Sequence, residues 1–91
     1  MLIIPTVTLN GTTKNSLISQ RTEAAQALED ALKKFSETSP HGRDFFEKDG
    51  LRYAQAEYKR RYGLIEDIIA DLRTEAERIY DGASERFPNG L

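Results

Sequence analysis

The sequence has no cysteine, no tryptophan and a single histidine, His41, among its 91 residues. The absence of cysteine excludes disulfide bonds, thiolate metal sites and a cysteine nucleophile from this sequence. One histidine alone makes neither a metal site nor a catalytic triad. The sequence also has no serine-centred nucleophile elbow, phosphate loop or dinucleotide-binding fingerprint. We therefore expect a protein that is not an enzyme and that uses no cofactor.

Long apolar runs and a strong excess of one charge are missing as well. Thirteen lysine and arginine residues face fifteen aspartate and glutamate residues, and the net charge of −2 lacks the basic excess typical of a nucleic-acid binder. No apolar run approaches the roughly 20 residues that span a membrane. The opening MLIIP is too short for the apolar region of a signal peptide. We expect one small soluble domain, located in the cytoplasm, without a membrane or nucleic-acid partner.

The first part of the chain, IPTVTLNGTT at residues 4–13, has the pattern of a strand followed by a turn. Apolar and threonine residues alternate, which predicts an extended segment over residues 3–9. Asn10 and Gly11 are a hairpin signal, but no second strand follows, so we predict a turn into a helix with Thr12 or Thr13 as N-cap. An anion site at the helix start is the alternative, because free backbone amides and the helix dipole attract negative charge there.

Two helices are predicted, over about residues 14–36 and 49–81, with a loop over 37–48 and a flexible tail over 84–91. Asp49 is the expected N-cap of the second helix, and Gly82 its expected stop. Apolar residues repeat every seven positions in the second helix, which is typical of coiled-coil packing. The two rows are Leu51, Tyr58, Ile65, Leu72 and Ile79, and Tyr62, Ile69 and Ala76.

The predicted fold class is all-α, an antiparallel two-helix hairpin with a short N-terminal extended segment. Helices of about 34 Å and about 46 Å, at about 1.5 Å per residue, cannot cover each other completely. Such a small hairpin buries little apolar surface by itself. We therefore expect it to associate into an oligomeric helical bundle.

The loop sequence HGRDFF, at residues 41–46, has residue types that could hold a nucleotide. Arg43 is suited to phosphate, and Phe45 to stacking on a base, with the carboxylate of Asp44 beside them. The alternative is structural: Asp44 caps a turn, while Phe45 and Phe46 anchor the loop on the helices.

The helical sequence YAQAEYKRRYG, at residues 53–63, repeats this combination of basic and aromatic residues. Arg60 and Arg61 lie between Tyr58 and Tyr62, an interleaving that can contact phosphate and base. In the alternative interpretation both tyrosines belong to the heptad rows, and Glu57 pairs with Arg60 three residues later.

Three carboxylates of the second helix recur every four residues, namely Asp67, Asp71 and Glu75. Such a row could bind a divalent cation, because carboxylate oxygens are the ligands that these ions prefer. A solvated helix face explains the same spacing, and it is the interpretation that we prefer.

Three stretches of this sequence resemble a family of small phage and prophage proteins: IPTVTLNGTT, GRDFF and AQAEYKRR. The resemblance covers most of residues 3–80 and keeps the order and approximate spacing of the three motifs. It implies a phage accessory protein acting in the cytoplasm of the host. The ligand-binding candidates carried over from the motifs are Asn10, Gly11, Thr12, Arg43, Asp44, Phe45, Glu57 and Arg60.

Small helical oligomers made by phages include proteins that resemble sponges for the nucleotide signals of host immunity, which is an analogy of fold. The resulting hypothesis is a homo-oligomer that sequesters a nucleotide-derived ligand, held by Arg43 and Arg60 through its phosphate and by an aromatic ring through its base. The alternative is an oligomeric interaction module that inhibits a host protein or assists phage assembly, and its N-terminal strand could add to a partner's sheet.

Overall fold

The computed structural model describes residues 1–5, 13–45 and 48–86, and the side chains of residues 49–82 within the last range. These residues form two α-helices and no strand, which confirms the all-α class. Helix α1 spans Lys14–Phe35 and helix α2 spans Lys48–Arg86, with short 3-10 turns at Ser36–Thr38 and Gly42–Asp44 between them.

Helix α1 begins at an N-cap formed by Thr13, one of the two residues expected there. The Thr13 hydroxyl oxygen accepts a hydrogen bond from the backbone N–H of Ser16 at 3.2 Å, which satisfies one of the free amides of the first turn. The helix ends one residue earlier than predicted, at Phe35, and the chain continues as the first 3-10 turn. Lys33 and Lys34 lie in the last turn, where their positive charges stabilise the helix by interacting with the negative, carbonyl end of its dipole.

Helix α2 is longer than the sequence pattern predicted, because it passes through Gly82 and ends at Arg86. The predicted stop required Gly82 to adopt a positive φ angle, and this glycine does not do so. Residues 84–86, which were predicted to lie in the tail, therefore belong to the helix. At the other end, Asp49 lies in the first turn of α2, where a carboxylate favours the helix dipole, and it is not the N-cap.

The contacts between α1 and α2 run in opposite order along the two helices. Arg21 near the start of α1 pairs with Glu75, and Phe35 at its end stacks on Tyr58. The molecule is a narrow rod with extents of 64 × 20 × 16 Å. Because two helices cover only one face of each other, most of the heptad residues are half-buried. The buried apolar residues are Ala25, Ile69, Ala76 and Ile79.

Glu75 is the one buried charged residue of the described part, and only 5% of its surface is exposed. One carboxylate oxygen accepts from Arg21 Nε at 2.9 Å, and the other accepts from the backbone N–H of Ile3 at 2.7 Å. The preferred solvated-face interpretation of the row Asp67, Asp71 and Glu75 is therefore wrong at Glu75. Asp71 contacts the amino group of Met1 at 3.0 Å, so the first residues lie along α2. Residues 1–5 have neither helical nor strand structure, and residues 6–9 of the predicted extended segment lie outside the described residues.

We expect Glu75→Ala to lower the free energy of unfolding by about 3 kcal/mol, because it leaves Arg21 largely buried without its carboxylate. Urea denaturation at fixed protein concentration measures the change. Glu66→Ala, which removes an exposed carboxylate from the same helix, is the matched control and should change the stability by less than about 0.5 kcal/mol. Equal effects of the two substitutions would show that the buried pair contributes nothing.

Gly63 lies in the interior of α2, and a Cβ atom added there would meet no atom within 4 Å. The sequence left a bend or a close contact as explanations for this glycine, and the structure shows no close contact. Gly63→Ala should therefore raise the free energy of unfolding by about 0.5–1 kcal/mol, because alanine loses less backbone entropy on folding. Thermal unfolding followed by circular dichroism checks this, and a lowered midpoint would contradict it.

Candidate functional site

A cavity of about 530 Å³ lies where the end of α1, the connecting segment and the first half of α2 meet. Other open clefts on the described part of the rod have volumes of about 500–540 Å³, so the lining of this cavity distinguishes it, and not its size within the range of about 300–1,000 Å³ typical of small-molecule pockets. The residues that line it combine aromatic, acidic and basic side chains. They are Phe35, Glu37, Thr38, Ser39, Pro40, His41, Asp44, Phe45, Ala54, Glu57, Tyr58 and Arg61.

Aromatic rings form one wall of this cavity. The rings of Phe35 and Tyr58 are stacked, with centroids 5.2 Å apart and an angle of 5° between the planes. Tyr62 lies next to Tyr58 along α2, at 5.9 Å and tilted by 44°. The tyrosines therefore occupy the heptad rows, and the stack fastens the end of α1 to α2. Sequence reasoning did not select Phe35, since it belonged to the apolar pattern of α1.

The second 3-10 turn, Gly42–Asp44, brings part of the GRDFF motif to the cavity. The Asp44 N–H donates to the carbonyl oxygen of His41 at 3.0 Å, and the Phe45 N–H donates to that of Gly42 at 3.2 Å. These bonds place Asp44 and Phe45 in the lining, whereas Arg43 is exposed and does not line the cavity. Phe46 lies outside the described residues.

Glu57 holds the two adjacent arginines of α2. Its oxygens accept hydrogen bonds from Arg60 Nε and Nη2, both at 2.7 Å, and from Arg61 Nε at 3.2 Å. The hydrogen bond from Arg60, followed by the charges of both guanidinium groups, lowers the pKa of Glu57 from its ordinary 4.5 to about 2. The same pair raises the pKa of Arg60. The pairing of Glu57 with Arg60 is thus present, and Arg61 is the arginine that lines the cavity.

The structure brings together three of the eight candidate residues, Asp44, Phe45 and Glu57. Arg43 and Arg60 lie near the cavity in the chain but do not line it. The candidates Asn10, Gly11 and Thr12 lie outside the described residues. Arg61 was recognisable in the sequence from its place beside Tyr62, but His41 carried no signal beyond its being the single histidine.

The charge of the chain changes sign between the two ends of the rod. Residues 33–61, the segment from which every lining residue of the cavity comes, contain eight lysine and arginine residues and five aspartate and glutamate residues, a net charge of +3. The rest of the chain contains five basic and ten acidic residues, a net charge of −5. The cavity therefore lies in the more positive end, although Glu37, Asp44 and Glu57 contribute carboxylates to its wall.

The described residues contain no cluster of three or more histidine and acidic side chains that could hold a metal ion. Within the same part of the chain, no helix is long and apolar enough to cross a membrane. No protein-family model, curated protein or solved structure matches this chain.

The Glu57 carboxyl should titrate at about pH 2 in the folded protein, well below its ordinary 4.5. Because the folded pKa is the lower one, the contribution of this cluster to stability is present above about pH 4.5 and is lost as the pH falls towards 2. Carbon-detected NMR of the side-chain carboxyl measures the pKa. Arg60→Ala should raise it more than Arg61→Ala does, because the Arg60 hydrogen bond is the largest cause; equal values in all three proteins would contradict the prediction.

Proposed function

We propose that this chain is a non-enzymatic phage accessory protein that counters host defence. It binds a small nucleotide-derived ligand carrying phosphate, a signal of host immunity, and withdraws it in the host cytoplasm. The observation that carries the proposal is the cavity of about 530 Å³, whose lining combines aromatic rings with the guanidinium group of Arg61. The resemblance of three motifs to phage proteins supplies the biological setting.

The lining offers a partner for each part of a nucleotide. Arg61 donates charge-assisted hydrogen bonds to a phosphate oxygen, with Arg43 on the exposed turn as a second donor. An aromatic ring, Phe45 or the outer side of the Phe35 and Tyr58 stack, packs on the base. The Asp44 carboxylate accepts a hydrogen bond from a base amino group, which gives the acidic part of the wall a function. Glu57 keeps Arg60 and Arg61 in place through its hydrogen bonds.

The mechanism is stoichiometric sequestration, without turnover of the ligand. Its effect depends on the affinity of each site and on the number of protein molecules. In this proposal the chains are antiparallel hairpins that associate as a homo-oligomer and carry their binding sites near the junctions of the subunits. Neither a membrane nor a nucleic acid takes part.

Native mass spectrometry of the protein with a mixture of cyclic nucleotides, cyclic dinucleotides and ADP-ribose derivatives tests the proposal. We expect one species to be retained at a fixed stoichiometry. Arg61→Ala and Arg43→Ala should each weaken its binding about tenfold or more, because each removes a charge-assisted hydrogen bond to phosphate of about 1.5–3 kcal/mol.

The matched control is Arg78→Ala, which removes the same charge from an exposed position on the distal part of α2, away from the cavity. It should leave the retained amount unchanged. Weak retention of every nucleotide, insensitive to Arg43→Ala and Arg61→Ala, would overturn the proposal. If Arg78→Ala lowered the retained amount of nucleotide as much as the cavity variants do, the binding would be unspecific attraction between opposite charges.

An oligomeric interaction module is the second candidate function, and the exposed apolar residues Ile3, Ile4, Leu64 and Ile68 favour it. Such a module inhibits a host protein or assists phage assembly through these side chains. It predicts that no nucleotide is retained and that deletion of residues 1–9 abolishes binding to a partner protein, because that segment carries Ile3 and Ile4. Retention of one nucleotide that survives the same deletion would argue against it.

A further inference from the structure

Helix α2 has an apolar face that the described part of the chain does not cover. Leu64 and Ile68 lie one helical turn apart, and 49% of the surface of each is exposed. Ile3, of which 69% is exposed, lines the same shallow groove as Ile68 and extends the apolar surface at that side. Large aliphatic side chains in adjacent positions on one helix face indicate a contact surface more than single exposed residues do.

Opposite charges flank these two residues at equal distances. Arg61 precedes Leu64 by three residues, and Asp71 follows Ile68 by three residues. Residues separated by three, four or seven positions share one face of a helix, so all four side chains lie along the same strip of α2. Arg61 is 60% exposed and Asp71 is 39% exposed, so both are open to a further partner.

We infer that this strip is an interface with a second copy of the same chain, in which the two α2 helices cross antiparallel around a two-fold axis near residue 66. In that arrangement Leu64 of one protomer packs on the Ile68 position of the other, and Arg61 faces the Asp71 position. Each contact occurs twice, as a two-fold interface requires. The inference specifies the self-association contained in the proposed function, but it does not depend on a ligand.

The exposed surface of the chain is larger than that of a compact monomer, as expected for a subunit that binds a partner. The accessible surface is 7058 Å². A compact monomer of 10.3 kDa exposes only about 5,400 Å², so the excess is about 1,700 Å². A stable protein interface requires about 800 Å² from each partner. The chain as a whole therefore exposes enough additional surface for a pair, even when only half of the excess is covered.

The charge of the whole rod selects the antiparallel direction. The end formed by residues 33–61 carries a net charge of +3, and the rest of the chain carries −5. An antiparallel pair places the positive end of one protomer beside the negative part of the other. A parallel pair would bring like charges together over the same length, which disfavours it.

Sedimentation velocity of the full chain without nucleotide, at low and high salt, tests the inference. We expect a dimer whose dissociation constant rises with salt. Leu64→Glu and Ile68→Glu should each raise the dissociation constant a hundredfold or more, because they place a carboxylate in the apolar centre. Tyr80→Glu is the matched control, since Tyr80 is 62% exposed on the same helix but outside the strip. The control should leave the dimer intact.

A charge exchange identifies the geometry. Arg61→Asp and Asp71→Arg should each weaken the dimer about tenfold, and the double variant should recover to within about threefold of the wild type. Within one helix these residues are ten positions and about 15 Å apart, so recovery requires a contact between two chains. Circular dichroism of every variant verifies that the helices are intact.

A wild-type monomer at all concentrations would overturn the inference, as would a dimer that Leu64→Glu leaves unchanged or a double variant no better than the single ones. Because Arg61 also belongs to the proposed ligand site, the variants that separate the two proposals are Leu64→Glu and Ile68→Glu, which lie outside the cavity lining, and nucleotide is absent throughout the sedimentation experiments. A dimer that later retains no nucleotide removes only the ligand proposal. A monomer that retains one nucleotide removes the interface and the homo-oligomer of the proposed function, and leaves its ligand proposal standing.

Discussion

The hydrogen-bonded ion pair between Arg21 and Glu75 fixes the arrangement of the described chain. The Glu75 carboxylate of α2 joins three parts of the chain. It accepts one hydrogen bond from the Arg21 side chain of α1 and another from the backbone N–H of Ile3 in the N-terminal segment. Burying a charge is unfavourable unless its oxygens are hydrogen-bonded, and here both oxygens are. A shift of α1 by one turn along α2 would separate the pair and leave the buried Glu75 without Arg21. The pair thus selects one alignment in a core to which the described residues contribute four buried apolar side chains, Ala25, Ile69, Ala76 and Ile79.

The all-α class could be predicted from the sequence because it depends on signals that act over short distances in the chain. Heptad spacing in α2, the threonine before α1 and the proline and glycine of the connecting segment each act within a few residues. The end of α2 was less accessible, because Gly82 is compatible with both a helix and a stop, and its local sequence does not decide between them. The role of Glu75 was hidden for a different reason. Its partners, Arg21 and Ile3, are 54 and 72 residues away, and no pattern along the chain connects them.

The candidate site divides in the same way. Asp44, Phe45 and Glu57 were selected from motifs, and they do line one cavity. The choice between Arg60 and Arg61 could not be made from residue types, because both guanidinium groups donate to Glu57 and only the folded structure shows that Arg61 alone of the two lines the cavity. The aromatic wall needed Phe35, which comes from the other helix and becomes part of the site only through its stacking on Tyr58. When a site is assembled from separate elements, sequence motifs therefore predict only those of its residues that are close together in the chain.

The bond from the Ile3 amide to Glu75 also has a consequence for the order of folding. Contacts between residues far apart in the chain form late, because a long loop must close before they gain anything. The first residues find their place only after α1 has paired with α2 and Arg21 has reached the carboxylate. We therefore expect this amide to close last and open first, so that its exchange with solvent hydrogen would report on fluctuations of the N-terminal segment while both helices remain folded.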